Sequence, residues 1–95
     1  IRDYKASIKS NDNFIASFPG TKFREESLYV KFLSLYQIGI NSIYTKKEER
    51  LKELQKEYDL ILRYNPETPF LDDLNKKMDN VKSELKKIIT TSITP

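Results

Sequence analysis

The sequence contains no cysteine and no histidine among its 95 residues. Disulfide bonds, imidazole acid–base catalysis, Ser–His or Cys–His nucleophiles and the usual zinc ligands are therefore excluded. Glycine occurs only twice, at Gly20 and Gly39, so no glycine-rich loop is available to hold a phosphate. These absences argue against an enzyme and against a bound cofactor, metal ion or small-molecule substrate.

Acidic residues are present, but their arrangement does not indicate a catalytic or metal site. They form three adjacent pairs, Glu25–Glu26, Glu48–Glu49 and Asp72–Asp73. Neighbouring residues on a helix point about 100° apart, so the two carboxylates of a pair diverge instead of converging on a substrate. Each pair is expected in the first turn of a helix, where negative charge interacts favourably with the helix dipole.

No stretch of the sequence gives the ~20 mostly apolar residues that a membrane-spanning helix requires. The 17 basic and 14 acidic residues are interleaved and leave a net charge of only +3. Such a mixture is typical of a solvated surface, although a basic helical nucleic-acid-binding domain is an alternative. Because the chain begins at Ile1 without a methionine, we expect a single domain over residues 1–95 that is a C-terminal fragment of a longer repeat protein.

Hydrophobic periodicity and stop signals predict four helices and no strand, with helices at about 2–17, 24–44, 47–63 and 70–89. The last two share apolar spacings of three and four and are joined by the short NPETP segment, which predicts an antiparallel αα-hairpin. The second helix is apolar over so wide an arc that neighbours should cover it on two sides and make it the most buried helix. Gly39 lies in one of its apolar stripes and is expected to allow close approach of another helix.

The chain also repeats itself at a spacing of 47 residues. Pro19 and Phe23 recur as Pro66 and Phe70, each time with an acidic pair close behind. Each copy has a helix ended by an aromatic residue, a proline turn and an acidic helix start, which predicts a stack of antiparallel helical hairpins. The first helix should be held at its end by packing of Phe14, Ile15 and Phe18 against the turn and the second helix. Before the prolines the match shifts by one residue, pairing Phe14, Ile15 and Phe18 with Leu60, Ile61 and Tyr64.

Three segments, FPGTKFREESL, NSIYTKKEER and YDLILRYNPETPFLDDLNKKM, resemble the C-terminal part of the BamD family of outer-membrane lipoproteins. The resemblance implies tetratricopeptide-like helical pairs on the periplasmic face of the outer membrane, where the family supports insertion of β-barrel proteins. It also implies binding to BamA-type periplasmic domains and other assembly subunits, with a lipid anchor that has no counterpart in this sequence. The 47-residue spacing exceeds the roughly 34 residues of a standard tetratricopeptide repeat. Another periplasmic adaptor of this class, such as the accessory protein of the Tol–Pal system, shares the turn pattern.

Candidate partner-binding residues lie where the third helix begins: Tyr44, Lys46, Lys47 and Arg50. Tyrosine and arginine are enriched at protein interfaces, so this segment could form the charged edge of a docking surface. A solvated helix start explains the same charges without any binding. The sequence thus predicts a non-enzymatic scaffold that binds protein subunits, in preference to nucleic acid or a small molecule.

Overall fold

The computed structural model describes residues 3–93, without the side chains of residue 44 and residues 89–93. Within that range the chain forms four α-helices and no strand. The predicted all-α fold is confirmed. The helices are α1 (Tyr4–Ser17), α2 (Arg24–Ile40), α3 (Tyr44–Tyr64) and α4 (Leu71–Ile93).

Side-chain contacts between consecutive helices show how the helices are oriented. In both α1–α2 and α3–α4, later positions on one helix meet earlier positions on the other. The structure therefore contains two antiparallel hairpins, joined by the segment between α2 and α3. The contacting pairs are Asn11–Ser27 and Ser7–Ser34 in the first hairpin, and Tyr58–Asn75 and Lys47–Glu84 in the second.

The first hairpin stacks on the second through α2. This helix runs antiparallel to α3 and parallel to α4, so it covers the groove that the second hairpin presents. Stacking of this kind is the arrangement of tetratricopeptide-like arrays, as predicted. The pairs that fix the orientation are Lys31–Glu57 between α2 and α3, and Tyr29–Asp73 and Tyr36–Asn80 between α2 and α4.

The α2–α3 junction differs from the predicted boundaries. Helix α2 ends at Ile40 instead of residue 44, and α3 begins at Tyr44 instead of residue 47. The side chains of Asn41 and Ser42 donate to backbone carbonyls of the preceding turn. Such side chains compete with the helix for its own backbone groups, so the helix stops here.

Helix α4 continues to Ile93, beyond the predicted end at residue 89. The prediction gave too much weight to the loss of apolar periodicity in this segment. No glycine or proline interrupts the chain before Pro95, and threonine and serine cost a helix only a few tenths of a kcal/mol each. The backbone therefore stays helical without an apolar stripe.

The hydrophobic core lies mainly between α3 and α4. From α2, the only fully buried apolar side chain in the described part is Phe32, while its other large side chains are partly buried against the core. Helix α2 is nevertheless the least exposed of the four over the described side chains, since only Glu26 and Val30 of its 17 residues are exposed. The prediction that it is the most buried helix is confirmed. The core residues are Phe32, Leu51, Leu54, Ile61, Leu74, Met78, Val81, Leu85 and Ile88.

The interface between α1 and α2 is polar, and α1 contributes no buried residue. The hydroxyl of Ser34 donates to that of Ser7 (3.0 Å), and the hydroxyl of Ser27 donates to the amide oxygen of Asn11 (2.7 Å). A hydrogen bond of this kind stabilises by about 0.5–1.5 kcal/mol, whereas burying a leucine or valine contributes about 1.5–3 kcal/mol. Helix α1 is therefore held less tightly than α3. The residues 47 positions after Ser7, Ser27 and Ser34 are Leu54, Leu74 and Val81, all in the core.

Lys31 is an ionic link between three helices. Its ammonium group lies 2.8 Å from a carboxylate oxygen of Asp12 on α1 and 2.9 Å from one of Glu57 on α3. Burial alone would lower the pKa of Lys31, but hydrogen bonds to both carboxylates and their charges outweigh it and raise that pKa. Glu57 is buried, and among the described residues its other carboxylate oxygen has no hydrogen-bond partner. The charge of Lys31 is therefore the main compensation for a buried carboxylate.

Replacing Lys31 by methionine should lower the free energy of unfolding by about 1–3 kcal/mol, because Glu57 is left buried without its counter-charge. The double variant Lys31→Met/Glu57→Leu should recover much of that loss, since no unpaired charge remains. Urea unfolding measures both variants, with Lys52→Met as the control, because Lys52 pairs with Glu48 on the exposed surface. A double variant no more stable than Lys31→Met would contradict this account.

Gly39 is buried where α2 approaches α3. A Cβ atom at this position would lie 3.0 Å from Cδ2 of Leu51, closer than an ordinary van der Waals contact. The predicted close approach of another helix is confirmed. The lost helix propensity of glycine, about 1 kcal/mol against alanine, is offset by the tighter packing of α2 on α3.

The variant Gly39→Leu should therefore lower the free energy of unfolding by about 1–3 kcal/mol, because the new side chain overpacks the α2–α3 contact. Gly20→Leu is the matched control, since a Cβ at Gly20 would have no atom within 4 Å. Urea unfolding of the two variants gives the comparison. A Gly39→Leu chain as stable as the parent would show that the contact is not tight.

Candidate interaction surfaces

The two proline turns make the same backbone hydrogen bonds, 47 residues apart. In the first turn the N–H of Thr21 donates to the carbonyl of Phe18 (3.1 Å), and the Thr21 hydroxyl oxygen accepts from the N–H of Phe23 (3.1 Å). In the second, Thr68 makes the corresponding bonds, at 3.2 Å to the Asn65 carbonyl and 3.3 Å from the N–H of residue 70. The two turns are equivalent, so their side chains can be compared position by position.

This equivalence extends back into α1 and α3. The N–H of Phe18 donates to the carbonyl of Phe14, and the N–H of Asn65 donates to that of Ile61, both at 2.9 Å. The spacing therefore stays at 47 residues before the prolines, and the predicted one-residue shift is wrong. The predicted shift came from matching the aromatic side chains of Phe18 and Tyr64. In the structure the residue equivalent to Phe18 is Asn65, whose side-chain amide donates to the carboxylate of Glu25 on α2 (2.8 Å).

In the second hairpin, Tyr29 of α2 covers the start of α4. Its ring stacks on Phe70 with centroids 4.1 Å apart and planes 6° apart. Its hydroxyl donates to the carboxylate of Asp73, which Lys77 also contacts at 2.7 and 2.9 Å. Burial, together with the hydrogen bond to Asp73 and its charge, raises the pKa of Tyr29 to about 12. Hydrogen bonds from Lys77 and Tyr29 lower the pKa of Asp73.

In the first hairpin the equivalent turn is uncovered. Phe23 is 50% exposed and Phe18 is 58% exposed. The ring of Phe18 packs against Phe14, with centroids 5.5 Å apart, and these rings line a shallow groove of about 470 Å³ with Gly20 and Thr21. The prediction that the turn and α2 hold this end of the helix is therefore wrong for Phe18, which is mostly exposed, whereas Phe14 and Ile15 are half-buried.

Arg24 extends this exposed surface towards α3. Its guanidinium donates to the carbonyl of Pro19 (3.2 Å) and lies 5.0 Å from the ring centre of Tyr64. Tyr64 is itself half exposed, one turn after the half-exposed Leu60. Exposed rings beside arginine are typical of the centres of protein interfaces. We call the set Phe18, Phe23, Leu60 and Tyr64 the turn-end surface.

Sequence reasoning missed the turn-end surface because it expected the aromatic residue that ends the first helix, Phe18, to be packed against the turn and the second helix. A signal was present in the serines of the first hairpin. Ser27 and Ser34 stand where the second hairpin has the buried Leu74 and Val81. The first hairpin therefore has less apolar surface with which to cover the rings near its turn.

The predicted charged edge lies at the opposite end of the hairpins. Lys46 is exposed, but Lys47 contacts Glu84 of α4 at 3.1 Å and Arg50 donates to the hydroxyl of Ser42 at 2.8 Å. The hydrogen bond from Lys47, more than any other contact, lowers the pKa of Glu84. The structure thus brings Lys47 and Arg50 into internal contacts and leaves Lys46 towards solvent. The side chain of Tyr44 lies outside the described part, so its role in docking stays a prediction.

A family of outer membrane lipoproteins, YfiO, matches residues 1–89. The chain belongs to this family. The match includes both hairpins and both proline turns, so the repeat lies within the region that the family shares. Searches of curated proteins and of solved structures found no match. Membership of the YfiO family associates the chain with the outer membrane.

Two further features of this YfiO-family chain concern its helices and its carboxylates. Over residues 3–93, no helix is long and apolar enough to cross a membrane, and no group of three or more acidic side chains could hold a metal ion. Two of the carboxylate pairs lie in first helical turns as predicted, Glu25–Glu26 on α2 and Asp72–Asp73 on α4. Glu48–Glu49 does not, because α3 begins earlier than predicted, at Tyr44.

The variant Tyr29→Phe keeps the stacked ring but removes the hydroxyl that donates to Asp73. We expect it to lower the free energy of unfolding by about 1–2 kcal/mol near pH 8. A raised tyrosine pKa contributes stability that is present below about pH 10 and is lost as the pH rises towards 12. The difference between parent and variant should therefore shrink over that range in urea unfolding. A difference that does not change with pH would contradict the hydrogen bond to Asp73.

Proposed function

We propose that this chain is the C-terminal, tetratricopeptide-like part of a BamD-type assembly factor. It is a single all-helical domain that acts as a non-enzymatic scaffold and holds protein subunits together on the periplasmic face of the outer membrane. There it supports insertion of β-barrel proteins. Attachment to the membrane comes through a lipid anchor elsewhere in the full-length protein.

The observation that carries this proposal is the match of residues 1–89 to the YfiO family of outer membrane lipoproteins. The fold supports it, because stacked helical hairpins leave extended surfaces on which other proteins can bind. The turn segments FPGTKF and NPETPF, which resemble the BamD family in sequence, also form equivalent turns with the same hydrogen bonds.

The partner we propose is a BamA-type periplasmic domain, and the chain offers two surfaces for it. The turn-end surface supplies half-exposed apolar side chains, which contribute most of the energy of an interface when they are buried. The charged edge supplies Lys46, which is free to pair with an acidic group at the rim of an interface. Tyr44, Lys47 and Arg50 are proposed to frame Lys46 in that edge.

The ion pairs that lysines make within the chain favour a protein over a nucleic acid as the partner. Binding to a phosphate backbone depends on many lysine and arginine charges that can release counterions. In this structure several lysines are paired with carboxylates of the chain itself, which reduces the positive potential that they present. These lysines are Lys31, Lys47, Lys52 and Lys77.

A binding assay against a purified BamA-type periplasmic domain tests the proposal. The chain should retain the domain at roughly 0.5 M salt, where the screening length is only about 4 Å. Lys46→Glu should weaken binding by about twofold to fivefold, as expected of a rim charge, whereas Lys56→Glu on the exposed side of α3 should not. Failure to bind the domain at any salt concentration, with salt-sensitive binding to DNA instead, would overturn the proposal.

A further inference from the structure

One pair of side chains in the first hairpin is arranged for a contact that it does not make. Phe23 and Glu26 are equivalent, at the 47-residue spacing, to Phe70 and Asp73. Both are exposed, and Glu26 makes no hydrogen bond or ion pair with any residue of the described part. The ring of Phe23 is approached by the ammonium group of Lys22, 5.2 Å from the ring centre. In the second hairpin the equivalent ring and carboxylate together hold Tyr29.

We infer that Phe23 and Glu26 form a tyrosine-binding notch. A tyrosine ring would stack on Phe23, and its hydroxyl would donate to the carboxylate of Glu26, as Tyr29 does with Phe70 and Asp73. Phe23 is the N-cap residue of α2 and Glu26 lies three positions later in its first turn, the same spacing as Phe70 and Asp73 at the start of α4. Because the backbone hydrogen bonds of the two turns match, the notch has the same starting geometry as the filled site.

The surroundings of the notch fit a helix. A depression of about 260 Å³ continues from Phe23 and Glu26 along the first hairpin, between α1 and α2. Its walls are Asn11, Phe14, Ser27 and Val30, and Val30 is 39% exposed. In the second hairpin the corresponding groove is filled by α2, which runs parallel to α4. The occupant of the first groove is therefore expected to be a helix that runs parallel to α2.

The occupant that fits is an α2-like helix from a further hairpin unit stacked on the α1 side. A second copy of this chain could not fill the groove with its α4. Helix α4 is polar at the positions equivalent to those of the α2 side chains that cover the second hairpin. Lys76, Asp79 and Lys82 stand in α4 where α2 has Tyr29, Phe32 and Leu35, and all three are exposed. The stack can therefore be extended beside α1 by the same type of contact, but not beside α4.

A tandem chain tests the notch directly. Placing a copy of residues 1–47 immediately before Ile1 keeps the 47-residue spacing, so the added α2 should lie on the first hairpin as α2 lies on the second. Glu26→Leu should change the unfolding equilibrium constant less than twofold in the 95-residue chain, where the side chain is exposed. In the tandem chain the same change at the original Glu26 should cost about fivefold or more, because leucine cannot accept the hydrogen bond from the tyrosine hydroxyl.

The matched control is Tyr29→Phe in the added copy alone. It should reproduce the loss caused by Glu26→Leu, and combining the two changes should cost little more than either one, because both remove the same hydrogen bond. Equal effects of Glu26→Leu in the short and tandem chains, or additive effects of the two changes, would overturn the inference.

A titration covers the case in which the tandem chain does not fold. A peptide with the sequence of residues 23–43 is added to the 95-residue chain, and the amide resonances of Phe23 and Glu26 are followed by NMR. Shifts at both residues that are lost in Phe23→Ser support the notch, and no shift at millimolar peptide overturns it. Sedimentation that shows a dimer of the chain, abolished by Phe23→Ser, would make a second copy the occupant and also overturn the inference. An occupied notch removes Phe23 from the turn-end surface, but the substitution in the test with the BamA-type domain is at Lys46, at the opposite end of the hairpins, so the two proposals can fail independently.

Discussion

The stacking of α2 across the α3–α4 hairpin is the interaction on which the rest of the structure depends. Two helices packed only on each other would leave one side of their apolar seam in water. Here α2 covers that side: Phe32 is fully buried in the core, and Tyr29 closes the end near the second proline turn. Gly39 lets the two backbones approach at the other end. The fold is thus a property of neighbouring hairpins and not of one hairpin alone.

Helix α1 takes part in this arrangement only indirectly. Its hydrogen bonds to α2 join hydroxyl and amide groups, none of its residues is buried, and its ionic link to α3 runs through Lys31 of α2. Local opening follows the amount of buried apolar contact, so α1 should open more readily than α3 or α4. A ligand that covers the first hairpin would also hold α1 in place. Binding there and ordering of the first hairpin are therefore coupled in free energy.

Much of the fold could be predicted from the sequence, because four helices, a proline turn and a 47-residue repeat all leave local patterns. The end of α2 and the start of α3 could not be predicted. They depend on hydrogen bonds from the side chains of Asn41 and Ser42 that compete with those of the helix. An apolar stripe also does not reveal whether a neighbour exists to cover it, and so Phe18 was expected to be packed. The sequence also did not show that Lys47 forms an ion pair within the chain. Its partner, Glu84, is distant in sequence and comes close only in the folded chain.

The two hairpins show how one backbone turn can serve two purposes. Thr21 and Thr68 make equivalent hydrogen bonds, so α2 and α4 leave their turns in the same direction. What differs is the side-chain environment. At the second turn a neighbouring helix buries the ring of Phe70 and satisfies Asp73, and the result is stability. At the first turn the same type of ring is left exposed, beside the groove lined by Phe14 and Phe18. Since an exposed ring of this size gains free energy only when something covers it, the first turn is the place where a structural contact has been left available for binding.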